Sequence, residues 1–201
     1  APGTLLTISA PVFTGNGGAG VVNAGGSLSV SGNVAFVGNT TTGTGGAIYS
    51  NGTLALNGGP GPTSLAGNIA SGNGGAFYSA TTRSTSITGS GGSLNISSNA
   101  GAQGGAIYAG SISIDGAFNV ISLVGNNATY ATATSGNADL SRGGGGTLYA
   151  YNSILINNNG PDGAVLAIQS NSSGADGGAM LGHKGITVSG NYVGITVSGN
   201  T

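Results

Sequence analysis

Short runs in which apolar and polar residues alternate recur along the whole chain, and glycine or asparagine bounds each run. Examples are residues 27–30, 53–56, 111–114 and 186–188, where every second side chain is apolar. Alternation with a period of two between turn-forming residues predicts short β-strands with one buried face. No segment has the sustained apolar spacing of a helix, so the pattern predicts an all-β chain.

A Gly-Gly pair followed by a small residue returns at regular intervals. Four of the five intervals between successive pairs are 28 to 32 residues long. A period of this length is typical of a solenoid, in which each repeat packs on the next. The pairs are Gly17-Gly18, Gly45-Gly46, Gly74-Gly75, Gly104-Gly105, Gly145-Gly146 and Gly177-Gly178.

A second motif, a large apolar residue followed three positions later by asparagine, runs in phase with the first. With the alternating runs between the motifs, each repeat contains three short strands. Three strands per repeat without helices predict a parallel β-helix of about six to seven turns, a rod on the order of 30 Å long. The motif ends at Asn16, Asn39, Asn68, Asn99, Asn126, Asn171 and Asn200.

Equivalent positions in successive turns should stack along the axis of such a coil. Stacked asparagines can form a ladder of hydrogen bonds, and we expect one at Asn39, Asn68, Asn99 and Asn126. The residue after each Gly-Gly-Ala or Gly-Gly-Thr should point inward and build the core. This core column consists of Ile48, Phe77, Ile107, Leu148 and Met180.

The residue after each core position is tyrosine in four successive units, at Tyr49, Tyr78, Tyr108 and Tyr149. Alternation along a strand turns these side chains outward, so the sequence predicts an aromatic ladder on the surface. Such a ladder can stabilise the coil through ring contacts. It can also serve as a lateral packing surface or a strip on which glycans stack.

The whole chain, 1–201, is predicted to form one solenoid domain. The long interval between the fourth and fifth units predicts a loop insertion at residues 127–142. Insertions in solenoids emerge on one face and often contact partners, although a passive surface loop is the simpler interpretation.

Composition argues against most chemical functions. The chain has three basic residues, four aspartates, one histidine, no glutamate and no cysteine. We therefore expect no catalytic site, no metal site, no cofactor and no nucleic-acid binding. His183 is expected to be a solvated loop residue, and Asp162 to form an Asx-type turn rather than a calcium site. No apolar segment is long enough to span a membrane, so direct membrane insertion is not expected.

Gly45-Gly46-Ala47-Ile48 and Gly104-Gly105-Ala106-Ile107 alternate with Phe36-Val37-Gly38-Asn39 and its degenerate copies. This alternation, from Phe13 to Asn200, resembles the repeats of the chlamydial polymorphic outer-membrane proteins and related bacterial surface proteins. The resemblance implies a right-handed β-helix displayed outside a bacterium or on its cell surface. Such coils are usually autotransporter passengers and often adhesins.

Strand-forming sequence occupies both ends of the chain, and residues 185–191 and 194–200 share the sequence Gly-Ile-Thr-Val-Ser-Gly-Asn. No cap is apparent, and the net charge is only -1. Open strand edges with little charge favour head-to-tail addition of one rod to another. The sequence thus favours a structural subunit of a bacterial extracellular filament, a homopolymer.

Two alternatives remain at this point. One is a fragment of an adhesin passenger that binds a host surface or a glycan. The other is an ice- or carbohydrate-binding protein with a flat face of threonine and serine. It is less favoured, because the outward threonines form no continuous regular array.

Overall fold

The structure, a computed structural model, describes residues 5–9, 11–18, 21–129, 144–160 and 163–201. Within these residues the chain forms β-strands and no helix. All strand pairs are parallel, and they join strands of successive turns into four sheets. The predicted all-β parallel β-helix is therefore confirmed.

We name the four sheets A to D in the order in which one turn visits them. Sheet A contains Leu5–Ser9, Ser27–Gly32, Leu54–Gly58, Ser84–Thr88, Ser111–Gly116, Ser153–Asn158 and Gly185–Gly190. Sheet B contains Val12–Thr14, Ala35–Val37, Thr63–Ala66, Ser93–Ser97, Val120–Val124, Ala164–Gln169 and Tyr192–Ser198. Sheet C contains Thr40–Thr41, Ile69–Ala70, Ala100–Gly101, Asn127–Ala128 and Ser172–Ser173. Sheet D contains Val22–Ala24, Ile48–Ser50, Phe77–Ser79, Ile107–Ala109, Leu148–Ala150 and Met180–Gly182.

The three strands predicted for each turn are those of sheets A, B and D. Sheet C is a ladder of two-residue strands at the corner between B and D, and the sequence pattern did not indicate it. Two residues are too few to show alternation. Sheets A and B each have seven strands among the described residues, in agreement with six to seven turns.

The core is a set of apolar columns that run along the coil. In sheet D the predicted column is in register, with Ile48 beside Phe77, Phe77 beside Ile107 and Leu148 beside Met180. These side chains are fully buried except for Met180, which is half-buried. Each buried aliphatic side chain contributes about 1.5 to 3 kcal/mol of burial free energy, so the columns hold the turns together.

The Gly-Gly pairs make the corner before sheet D, and each glycine of a pair has its own reason to be there. Gly74 has a φ of 68°, in the left-handed region that L side chains rarely adopt. Gly75 has no space for a side chain, because a Cβ there would lie 2.0 Å from the carbonyl oxygen of Gly105 in the next turn. The motif is therefore a consequence of close stacking between turns.

The asparagine ladder is confirmed, and it is longer than the four members expected. It includes all seven motif asparagines, from Asn16 to Asn200. Asn68 is typical: its backbone N–H and its Nδ2 both donate to Oδ1 of Asn99, each at 2.9 Å. Its Nδ2 also donates to the carbonyl oxygen of Phe36 in the preceding turn, at 2.8 Å. Every side-chain rung donates toward the carboxyl-terminal turn, so the ladder is polar.

The predicted insertion at 127–142 begins with regular structure. Asn127–Ala128 is a strand of sheet C, and the N–H of Thr129 donates to the carbonyl oxygen of Gly101. Residues 130–143 lie outside the described residues.

Candidate functional site

Sheet D aligns the four predicted ladder tyrosines in one outward row. Its register places Tyr49 beside Tyr78, Tyr78 beside Tyr108, and Tyr108 beside Tyr149. Neighbouring ring centroids are 5.2, 5.3 and 4.9 Å apart, and the rings are parallel within 4 to 7°. The four phenols form one continuous stack along the coil axis, which we call the tyrosine ladder.

Stacking covers the faces of the two interior rings, those of Tyr78 and Tyr108. A sugar packs against the face of an aromatic ring, so this arrangement offers little surface for a glycan to stack on. Exposure also changes along the ladder. Tyr49 and Tyr78 are half-buried, whereas Tyr108 is 7% and Tyr149 only 1% exposed. The carboxyl-terminal half of the ladder is thus part of the protein interior.

His183 closes the ladder at that end. Its Nε2 lies 2.8 Å from Oη of Tyr149, within hydrogen-bonding distance. Its ring meets that of Tyr149 edge-on, with centroids 5.3 Å apart, and lies 5.9 Å from the ring of Tyr151. The expectation of a solvated loop histidine missed these contacts. The position of His183 in its repeat could have indicated them. Leu181 pairs with Tyr149 in sheet D, so His183, two residues later, lies one turn above Tyr151.

Burial raises the pKa of two ladder phenols, Tyr78 and Tyr108. The pKa of Tyr78 is raised, mainly by desolvation and secondly by the neighbouring Tyr49. Desolvation also raises the pKa of Tyr108 far above its ordinary value, with further contributions from Tyr149, Tyr78 and Tyr151. Removal of these two phenols from water disfavours their charged, phenolate forms.

Within the described residues there is no cluster of three groups able to hold a metal ion. Asp115 points outward from sheet A, where its Oδ1 accepts hydrogen bonds from the amides of Asn157 at 3.0 Å and Asn159 at 2.6 Å. The two asparagines point their amide N–H groups, not their carbonyl oxygens, at the carboxylate. A bound cation would instead be ligated by oxygens. Asp139, Arg142 and Asp162 lie outside the described residues.

The two end turns of the described coil expose the same columns that form its core. Ile186 and Val197 continue the columns of Ile154 and Ile168, yet they are 43% and 64% exposed. At the opposite end Leu6, which is 45% exposed, stacks on the buried Leu28. Among the described residues, each end is therefore an apolar face bordered by edge strands of sheets A and B.

The asparagine ladder also reaches both end faces, with opposite chemistry. At one end Asn16 donates inward to Asn39, which leaves its Oδ1 on the outer side of the ladder. At the other end the Oδ1 of Asn200 accepts from Asn171, and its Nδ2 donates to the carbonyl oxygen of Ile168. One face thus presents an acceptor and the other an amide donor. Each face is therefore complementary to the opposite face of a second copy, but not to the same face of that copy.

In the part of the chain that the structure describes, no helix has the length and apolar character needed to cross a membrane. No family model, curated protein or solved structure matches the sequence or the fold.

Proposed function

We propose that this protein is the structural subunit of a bacterial extracellular filament, in which rods add head to tail. The observation that carries the proposal is the complementarity of the two end faces. One subunit would place Ile186, Val188 and Val197 against Leu6, Ile8 and Phe13 of the next. Sheets A and B would then continue from subunit to subunit.

The asparagine ladder supports one direction of addition. Nδ2 of Asn200 would donate to Oδ1 of Asn16 in the next subunit and repeat the bond that joins every pair of turns within the coil. A pairing of two like ends would oppose two donors or two acceptors. Contacts between unlike faces are heterologous and need not close, so they generate an open filament.

The charge of the chain favours association as well. With a net charge of -1 and 3% charged residues, subunits experience little mutual repulsion. The proposed location outside the cell or on its surface, by contrast, depends on the resemblance of the repeats to bacterial surface proteins.

Electron microscopy of the native secreted protein, prepared without refolding, tests the proposal. We expect ordered filaments with subunits stacked along the coil axis. Val197→Asp should prevent their growth, because it places a carboxylate on the end face. Val165→Asp is the matched control, because Val165 is an exposed sheet B residue on the side of the rod.

A mixture of variant and parent protein provides a second test. A Val197→Asp subunit keeps its other end face intact, so it can add to a growing filament and then block the next addition. A small fraction of this variant should therefore shorten filaments of the parent protein, whereas Val165→Asp should not. Dispersed short rods that bind a host surface or a glycan would contradict the filament and indicate an adhesin passenger instead.

A further inference from the structure

Sheet A turns a regular array of side chains outward, three from each of its seven turns. The rows are neutral except for one carboxylate, and they contain no aromatic residue. In chain order the rows are Leu5, Thr7, Ser9; Ser27, Ser29, Ser31; Thr53, Ala55, Asn57; Ser84, Ser86, Thr88; Ser111, Ser113, Asp115; Ser153, Leu155, Asn157; and Gly185, Thr187, Ser189. Fourteen of these twenty-one positions carry a serine or threonine hydroxyl.

The strand register aligns these rows into three straight columns. Ser29 lies beside Ala55, Ser86 beside Ser113, and Asn157 beside Ser189. Threonines alone are scattered through the array, as the sequence indicated, but serines extend them into longer runs. Ala55, Leu155 and the amides and carboxylate of the third column interrupt these runs. The positions of the array repeat about every 4.8 Å along the axis and about every 6.6 Å along each strand, and hydroxyls occupy two thirds of them. We call this surface the hydroxyl face.

Hydrogen bonds within the face hold parts of it in place. Oγ1 of Thr53 donates to Oγ of Ser27 at 3.0 Å, and Oγ1 of Thr88 donates to Oδ1 of Asn57 at 3.1 Å. The single carboxylate, Asp115, accepts from two asparagine amides. The face thus presents a nearly neutral array of hydrogen-bonding groups, parts of which are held in place.

Such a face selects its ligand by charge and by spacing. The face offers a charged partner only one carboxylate, which two asparagine amides already bind. It offers a crystalline polysaccharide no aromatic ring to stack against. The surface of ice is neutral, consists entirely of hydroxyl donors and acceptors, and repeats on a similar scale. We propose that the hydroxyl face binds ice, by holding a layer of water in register with the crystal. Because the face runs along the side of the rod, this activity does not depend on filament formation.

Thermal hysteresis and partition of the protein into slowly grown ice test the proposal. The test variants are Ser86→Lys and Ser113→Lys, in the centre of the face. The matched controls are Ser97→Lys and Ser122→Lys, which lie outward on sheet B, in the same turns. We expect the parent protein and the sheet B variants to enter ice and delay its growth, and the sheet A variants to lose both effects. Circular dichroism should show the same fold in all of them.

Two results would overturn the proposal. One is exclusion of the parent protein from ice without hysteresis, or an equal loss of activity in variants of both sheets. The other is retention on insoluble cellulose or chitin that only the sheet A variants abolish, without any effect on ice, which would assign the face to a polysaccharide.

Discussion

At the scale of single residues, the ladder asparagines have the clearest physical role. Asn99 is buried and makes four hydrogen bonds through its side chain. Its Oδ1 accepts from the backbone and the side chain of Asn68, and its Nδ2 donates to the carbonyl oxygen of Leu65 and to Asn126. Each of these partners is itself inside the coil, so it has no access to water as a substitute.

Asn99→Ala should therefore destabilise the protein by about 3 to 5 kcal/mol, because it leaves several buried polar groups unpaired. Asn95→Ala is the control, since Asn95 lies on the outer face of sheet B, and it should change stability by less than about 0.5 kcal/mol. Denaturant unfolding of both variants measures the difference. Equal stability of the two would show that the ladder does not hold the turns together.

At the scale of elements, sheet D combines an inward apolar column with the outward tyrosine ladder. The buried end of the ladder, from Tyr108 to His183, ties three successive turns by ring contacts and one hydrogen bond. The half-buried end at Tyr49 has ring contacts on one side only. Ionisation should therefore disturb the buried end most.

Stability should fall as the pH rises above about 10, the ordinary pKa of tyrosine. The folded-state pKa of Tyr108 is raised, so the unfolded chain loses its proton first, and alkali favours unfolding. Tyr108→Phe keeps the ring stack but removes this titration, so its stability should fall less steeply in alkali. Denaturant unfolding across this pH range, with neutral pH as the reference, measures the effect. Parallel loss of stability in both proteins would contradict it.

At the scale of the whole molecule, the proposed assembly and the proposed ice binding would use different parts of one rod. The end faces are apolar, and the hydroxyl face runs along sheet A. Because neither surface depends on charge, ionic strength should have little influence on either.

The critical concentration for filament growth should change by less than about twofold between low and moderate sodium chloride, because screening acts only on charges. Sedimentation of the polymer at increasing protein concentration measures it. A steep salt dependence would mean that ion pairs, rather than apolar columns and amide bonds, join the subunits.

The sequence by itself determined the repeat, the strand alternation, the core column and the asparagine ladder. In a solenoid each residue contacts its equivalent one turn away, so a period in the sequence translates directly into contacts in space. This is why Asn68 and Asn99, 31 residues apart, could be paired in advance.

Only the tertiary structure decided which outward side chains are covered and which columns become continuous surfaces. Burial of Tyr108 and Tyr149, the contact of His183 with the ladder, and the alignment of serines with threonines on sheet A depend on the corners between strands. Those corners follow from backbone conformations that several residues can adopt: Ser98 and Ser170 have φ values of 54° and 53° where other turns have glycine. Residue type alone therefore does not specify how one sheet is oriented against the next.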